Sequence, residues 1–78
     1  MKNNELLIIL GENLRQLRKN NTNLTMADAA QKLGKSRTWL NDIERGRNNI
    51  YFTDLIKLVN LYGGDPNQFI DEMRDILR

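Results

Sequence analysis

The 78-residue chain contains no cysteine and no histidine. The first absence excludes a disulfide framework and thiolate metal sites. The second removes the commonest general base and the commonest metal ligand. Proline occurs once, at a helix start, and aromatic residues make up only 6% of the chain. No stretch alternates apolar and polar residues for long enough to read as a strand. There is no internal repeat, low-complexity run or linker. The apolar run Leu6 to Leu10 is five residues long, far short of the roughly 20 that a membrane span needs, and shorter than a signal-peptide core. No membrane partner is expected, and the cytoplasm is the default compartment. With no phosphate-binding glycine loop and no convincing carboxylate pair either, the chain is not expected to be an enzyme. No cofactor, metal site or small-molecule ligand is evident.

What is present is concentrated in the stretch Thr25 to Arg47, TMADAAQKLGKSRTWLNDIERGR. Thr25 suits a helix N-cap, because its hydroxyl can accept an unpaired backbone N–H of the first turn. Asp28 follows as a weak capping-box partner. At helical periodicity Met26, Ala29, Ala30 and Leu33 share a face. Gly34 stands where a left-handed residue ends a helix. Ser36 then caps a second helix, in which Trp39, Leu40 and Ile43 share one arc. Arg37, Thr38, Asn41, Asp42 and Arg45 share the opposite arc. Ala29 and Ala30 permit a close helix crossing, and Gly34 turns the chain within about three residues, as a helix-turn-helix requires. The outward arc carries the chemistry of major-groove readout, where Arg suits guanine, Asn suits adenine and a carboxylate can accept from cytosine. Arg37, Thr38, Asn41 and Asp42 are therefore the candidate base readers. Trp39 reads better as packing at the core edge than as a stacking partner for DNA.

This stretch resembles the helix-turn-helix of the phage repressor/Cro-like (XRE) family. The resemblance extends to LGENLRQLRK before it, ERGRNN at its end and LIKLVNLYGGDPNQF after it, roughly residues 10 to 70. No single piece is specific, but the ordered set at these spacings is. Met26 stands where the family usually has Gln, and Ala29 where it usually has Leu. The resemblance implies an all-α, five-helix repressor-like DNA-binding domain spanning 1–78, with the motif at 25–46 in helices 2–3. It also implies a pair between Glu44 and Arg18, two positions that in the family lock the first helix to the recognition helix.

The first helix is expected from about Glu5 to Asn20, with Leu6, Leu7, Leu10, Leu14 and Leu17 as its core stripe. Gly11 inside it costs roughly 1 kcal/mol against Ala, which suggests a close helix contact there. Ile8 points to the polar side, either as a lone exposed apolar residue or as part of an interface. Helix four is expected after a Thr53 cap and before Gly63. Asp65-Pro66-Asn67-Gln68 reads as a strong helix start, with Gln68 completing a capping box.

Charge is uneven. Residues 1–52 carry nine Lys/Arg and five Asp/Glu, a net +4, whereas residues 53–78 carry three and five, a net −2. A basic half holding the motif fits nucleic-acid binding, though ordinary surface variation could give the same split. Lys35, Ser36, Arg45, Arg47, Asn48 and Asn49 are the candidate phosphate contacts. The Arg47 to Asn49 loop fits a solvated loop as well as an anion contact.

So short a chain has a small core, and a dimer is a reasonable expectation. Helix four has more apolar surface than one core face requires. The helix at 66–77 carries Phe69, Ile70, Met73, Ile76 and Leu77 on one arc. These five, with Ile56, are the candidate dimer residues, the alternative being that the last helix simply folds back on helix four of its own chain. The reading is a sequence-specific transcription regulator that binds double-stranded DNA, at a palindromic operator, as a homodimer. Within the resembling family it resembles small stand-alone regulators such as restriction–modification controller proteins. The alternatives are an antitoxin or other protein-interaction module on the same fold, or the N-terminal domain of a larger phage or plasmid repressor.

Overall fold

A computed structural model describes residues 3–76 of the chain. Five helices follow one another: α1 (Asn3–Asn21), α2 (Met26–Lys32), α3 (Arg37–Glu44), α4 (Phe52–Leu61) and α5 (Pro66–Ile76). Among the described residues there is no strand, and no helix is long and apolar enough to cross a membrane. α3 packs against both α1 and α2, and α4 packs against α5.

Local chemistry sets the helix ends. The Thr25 hydroxyl accepts the Asp28 N–H at 3.1 Å, and the Asp28 carboxylate accepts the Thr25 N–H at 3.4 Å, a reciprocal capping box at the start of α2. α2 ends where Gly34, at φ 70°, adopts the left-handed conformation. Its N–H donates to the Gln31 carbonyl at 3.0 Å, and the Lys35 N–H donates to that of Ala30 at 2.9 Å, satisfying carbonyls that the helix leaves unpaired. The Ser36 hydroxyl accepts the Trp39 N–H at 3.0 Å and opens α3.

Two expected caps are corrected. Thr53 does not cap α4: the helix begins at Phe52, Tyr51 occupies the cap position without a side-chain hydrogen bond, and the Leu55 N–H already reaches the Tyr51 carbonyl at 2.9 Å. Thr53 thus lies inside the first turn. At α5 the Asp65 carboxylate accepts the Asn67 N–H at 2.9 Å. Gln68 does not complete a capping box, because its amide donates forward to Glu72 at 3.1 Å, one turn along the same face.

The core is one cluster. Leu14 of α1, Ala29 and Ala30 of α2, Leu40 and Ile43 of α3, Leu58, Val59 and Tyr62 around α4, and Phe69 and Met73 of α5 are all buried. Gly11 explains how α1 approaches α3. A Cβ there would fall 2.5 Å from the Glu44 carbonyl oxygen and closer still to that of Ile43, so no side chain fits. Of the expected α1 stripe only Leu14 is fully covered. Leu6, Leu7 and Leu10 instead line an apolar cleft of about 200 Å³ with Leu55, Phe69, Ile70 and Met73.

That arrangement revises the expected dimer face. Phe69 is 7% and Met73 9% exposed, so both are interior to the single chain. The reason is that α5 folds back onto α4 and offers the inner edge of its apolar arc to the core. Ile56 and Ile70 remain half-buried, Ile76 is 48% exposed, and Leu77 lies outside the described residues.

Candidate nucleic-acid interface

α3 is an amphipathic helix with sharply divided faces. Leu40 and Ile43 are buried and Trp39 packs half-buried against the core. On the other side Arg37 and Thr38 are exposed, and Asn41 and Asp42 are half-exposed one turn further on. The four candidate base readers therefore share one outward arc, since helical residues three and four apart are neighbours.

α3 is held in place by a buried ion pair. Arg18 Nε donates to Glu44 Oε2 at 2.9 Å and Arg18 Nη2 donates to Oε1 at 3.0 Å, a two-pronged contact. Arg18 Nη1 donates to the Leu24 carbonyl at 3.0 Å, tying in the loop before α2. Hydrogen bonding to Glu44 raises the Arg18 guanidinium above its ordinary value, against a smaller desolvation that lowers it. Removing one partner of such a buried pair leaves the other charge unpaired, at a cost of about 3–5 kcal/mol. The pair thus ties α1 to α3, and with it sets the direction in which the outward arc points.

The candidate phosphate contacts gather at both ends of α3. Lys35 and Ser36 are exposed in the turn before it, and Arg45, Arg47, Asn48 and Asn49 are exposed after it. The Ser36 hydroxyl accepts at the cap, which leaves its hydrogen free to donate. Lys35 is the most constrained of the set. Its ammonium lies 3.6 Å from the Asp54 carboxylate and 5.4 Å from the Trp39 ring centroid. Asp42 faces the following loop: Arg47 lies 3.9 Å from its carboxylate, and the Asn48 side-chain amide donates to it at 3.5 Å. Asp42 therefore holds the loop as well as standing on the outward arc. The loop leaves α3 through Gly46 at φ 73°, where a Cβ would also meet the Ile8 backbone at 2.6 Å.

Two residues escaped the sequence reading. Asp54 is 8% exposed, in the first turn of α4, and its partner Lys35 lies in a different element. Nothing in the local pattern points to that pairing. Arg15 lies one turn before Arg18 on α1 and lines a groove shared with Asn41, Arg45 and Arg47. The i,i+3 spacing of the two arginines in LRQLRK was the available sign. Among the described residues no His, Cys, Asp and Glu side chains gather as a metal site.

An all-α chain whose motif helix is capped, braced and armed with arginine, amide and carboxylate on its free face is a DNA-binding helix-turn-helix protein. The chain belongs to the helix-turn-helix domain family, which it matches over residues 9–69. It is similar to control protein C.BamHI of Bacillus amyloliquefaciens, at 28% identity over 68 residues, 87% of this chain and 84% of that protein. Its fold is similar to that of the restriction–modification controller protein C.AhdI from Aeromonas hydrophila, with a TM-score of 0.78 and 25% identity over 88% of this chain and 99% of that one.

Proposed function

We propose that the protein is a sequence-specific transcription regulator of the restriction–modification controller type, binding a palindromic operator as a homodimer. The observation that carries the reading is the outward arc of α3, with Arg37 and Thr38 exposed and Asn41 and Asp42 beside them, on a helix braced by the Arg18–Glu44 pair. Support for the controller assignment comes from the two relatives, both of which are controllers and both of which share most of their length with this chain. Two-fold symmetry supplies what one recognition helix lacks, because a single α3 reads too few base pairs to define an operator. Two of them about one DNA turn apart, ~34 Å, read a palindrome. Arg37 and Asn41 act at base edges, while Arg45, Arg47, Asn48, Asn49, Ser36 and Lys35 set the register through phosphates. For Lys35 this means leaving Asp54 or sharing its charge.

The test is operator selection from random duplexes, followed by binding assays at several salt concentrations. Arg37→Ala or Asn41→Ala is expected to lose about 1–3 kcal/mol at particular base pairs and little on unrelated DNA. Arg47→Ala is expected to weaken all sequences alike and to flatten the salt slope by about one unit. Absence of salt-dependent duplex binding sinks the proposal. Unchanged base preference in the α3 variants removes α3 as the reader.

A further inference from the structure

A groove of about 500 Å³ runs between α1 and the C-terminal end of α3. Arg15 of α1, Arg45 at the C-cap of α3 and Arg47 of the following loop all line it, with Asn41 on its wall. Among the described residues Arg15 and Arg45 make no ion pair, and Arg47 reaches only the partly exposed Asp42, at 3.9 Å. Two carboxylates also face the groove. Glu44 is already neutralised by its two hydrogen bonds from Arg18. Glu12 is exposed and accepts from Gln16 at 3.1 Å. The free charge of the groove is therefore positive. Guanidiniums from three separate parts of the chain repel one another across it, and an anion between them would reverse the sign of that interaction. Ile8 and Met26 form its apolar margin. Apolar walls lower the local dielectric and strengthen whatever charge pairing forms inside.

We infer that this groove seats one phosphodiester of the DNA backbone, gripped by Arg15 from α1 together with Arg45 and Arg47. Arg15 is then a DNA contact outside the helix-turn-helix, and the groove couples the first helix directly to the duplex as well as through Arg18. A guanidinium suits this role, since it offers two parallel N–H donors to two phosphate oxygens. The inference rests on the DNA-binding reading above, and its test separates the two. Free phosphate shares the chemistry and is the other source of such an anion.

Individual phosphates of the selected operator are ethylated, and binding is scored for the wild type and for Arg15→Gln. In the wild type, ethylation at one phosphate of each half-site, outside the bases read by α3, blocks binding. In Arg15→Gln that position ceases to matter, affinity falls about tenfold and the salt slope loses about one unit, while Arg15→Lys keeps the slope. If Arg15→Gln loses its helical signal, Arg15→Met, which keeps the apolar stem, is scored in the same way. A folded variant with unchanged affinity, slope and ethylation pattern overturns the inference and leaves the DNA-binding reading standing. A wild type that does not bind duplex DNA overturns both. Inorganic phosphate is titrated at constant ionic strength in the third arm. If millimolar phosphate shifts the Arg45, Gly46 and Arg47 amide resonances while Arg15→Gln keeps the ethylation pattern of the wild type, the groove serves a free anion and the backbone contact is overturned.

Discussion

Tyr62 is fully buried at the end of α4, and its hydroxyl has no protein hydrogen-bond partner among the described residues. A buried donor left unpaired costs about 1–3 kcal/mol. Burial pushes this hydroxyl above its ordinary value, and the nearby Glu44 adds to the rise. As pH climbs past about 10, the unfolded chain releases the tyrosine proton while the folded chain keeps it. The folded state then binds more protons, so stability is intact below that pH and falls above it. Tyr62→Phe removes both penalties. It is expected to equal or exceed the wild type by about 1 kcal/mol at neutral pH. Its advantage is expected to widen above pH ~10 by up to about 1.4 kcal/mol per pH unit. Denaturant melts of both proteins across this range measure the difference, and a gap that stays constant with pH refutes the account. Nothing in the local sequence marks this side chain for burial without a partner. Its missing partner depends on where α1 and α3 arrive, which local spacing does not encode.

At the scale of elements, the close approach of α1 to α3 depends on Gly11. Gly11→Ala would gain roughly 1 kcal/mol of helix propensity in isolation. In the folded chain its methyl would meet the carbonyl oxygens of Ile43 and Glu44, which are backbone and cannot rotate away. The expected result is a net destabilisation of about 1–3 kcal/mol, as for other overpacked contacts, with weaker operator binding because α3 is displaced. A thermal melt that shows Gly11→Ala equal to or above the wild type would contradict this. The glycine was legible because a helix interior rarely gains from it. The caps of α2 and α3 were legible for the same kind of reason: Thr25, Gly34 and Ser36 each perform a local task that few other residues perform. Thr53 and Gln68 show the limit of such reasoning. Each has capping chemistry, but α4 starts two residues early and the Gln68 side chain turns forward to Glu72. The Arg18–Glu44 contact spans 26 positions of sequence and came into view only through the family resemblance, since charge spacing alone does not pair residues so far apart.

At the scale of the whole molecule, the question is what covers the apolar cleft between α1, α4 and α5. Leu6, Leu7 and Leu10 meet Leu55, Phe69 and Ile70 there, with Ile76 exposed nearby on α5. The sequence placed the excess apolar surface on α4 and α5 and left open whether α5 meets a partner or folds back on α4, because the arc of α5 does not reveal how far the helix rolls onto its own core; Phe69 and Met73 are buried within the single chain. A second copy using the same patch would bury the remaining margin symmetrically. Substitution at Met73 would test folding rather than assembly, since that side chain is 9% exposed. Ile70→Asp with Ile76→Asp acts on the accessible edge. The double variant is expected to sediment as a monomer and to keep its helical signal. Its operator affinity is expected to drop by about 10²–10⁴-fold, the range by which two linked sites exceed one. Affinity for an isolated half-site should change little, because α3 is untouched. A variant that remains dimeric moves the interface to the exposed Ile8 side of α1. A variant that is monomeric yet binds the full operator as well as the wild type shows that pairing is not what makes the operator readable.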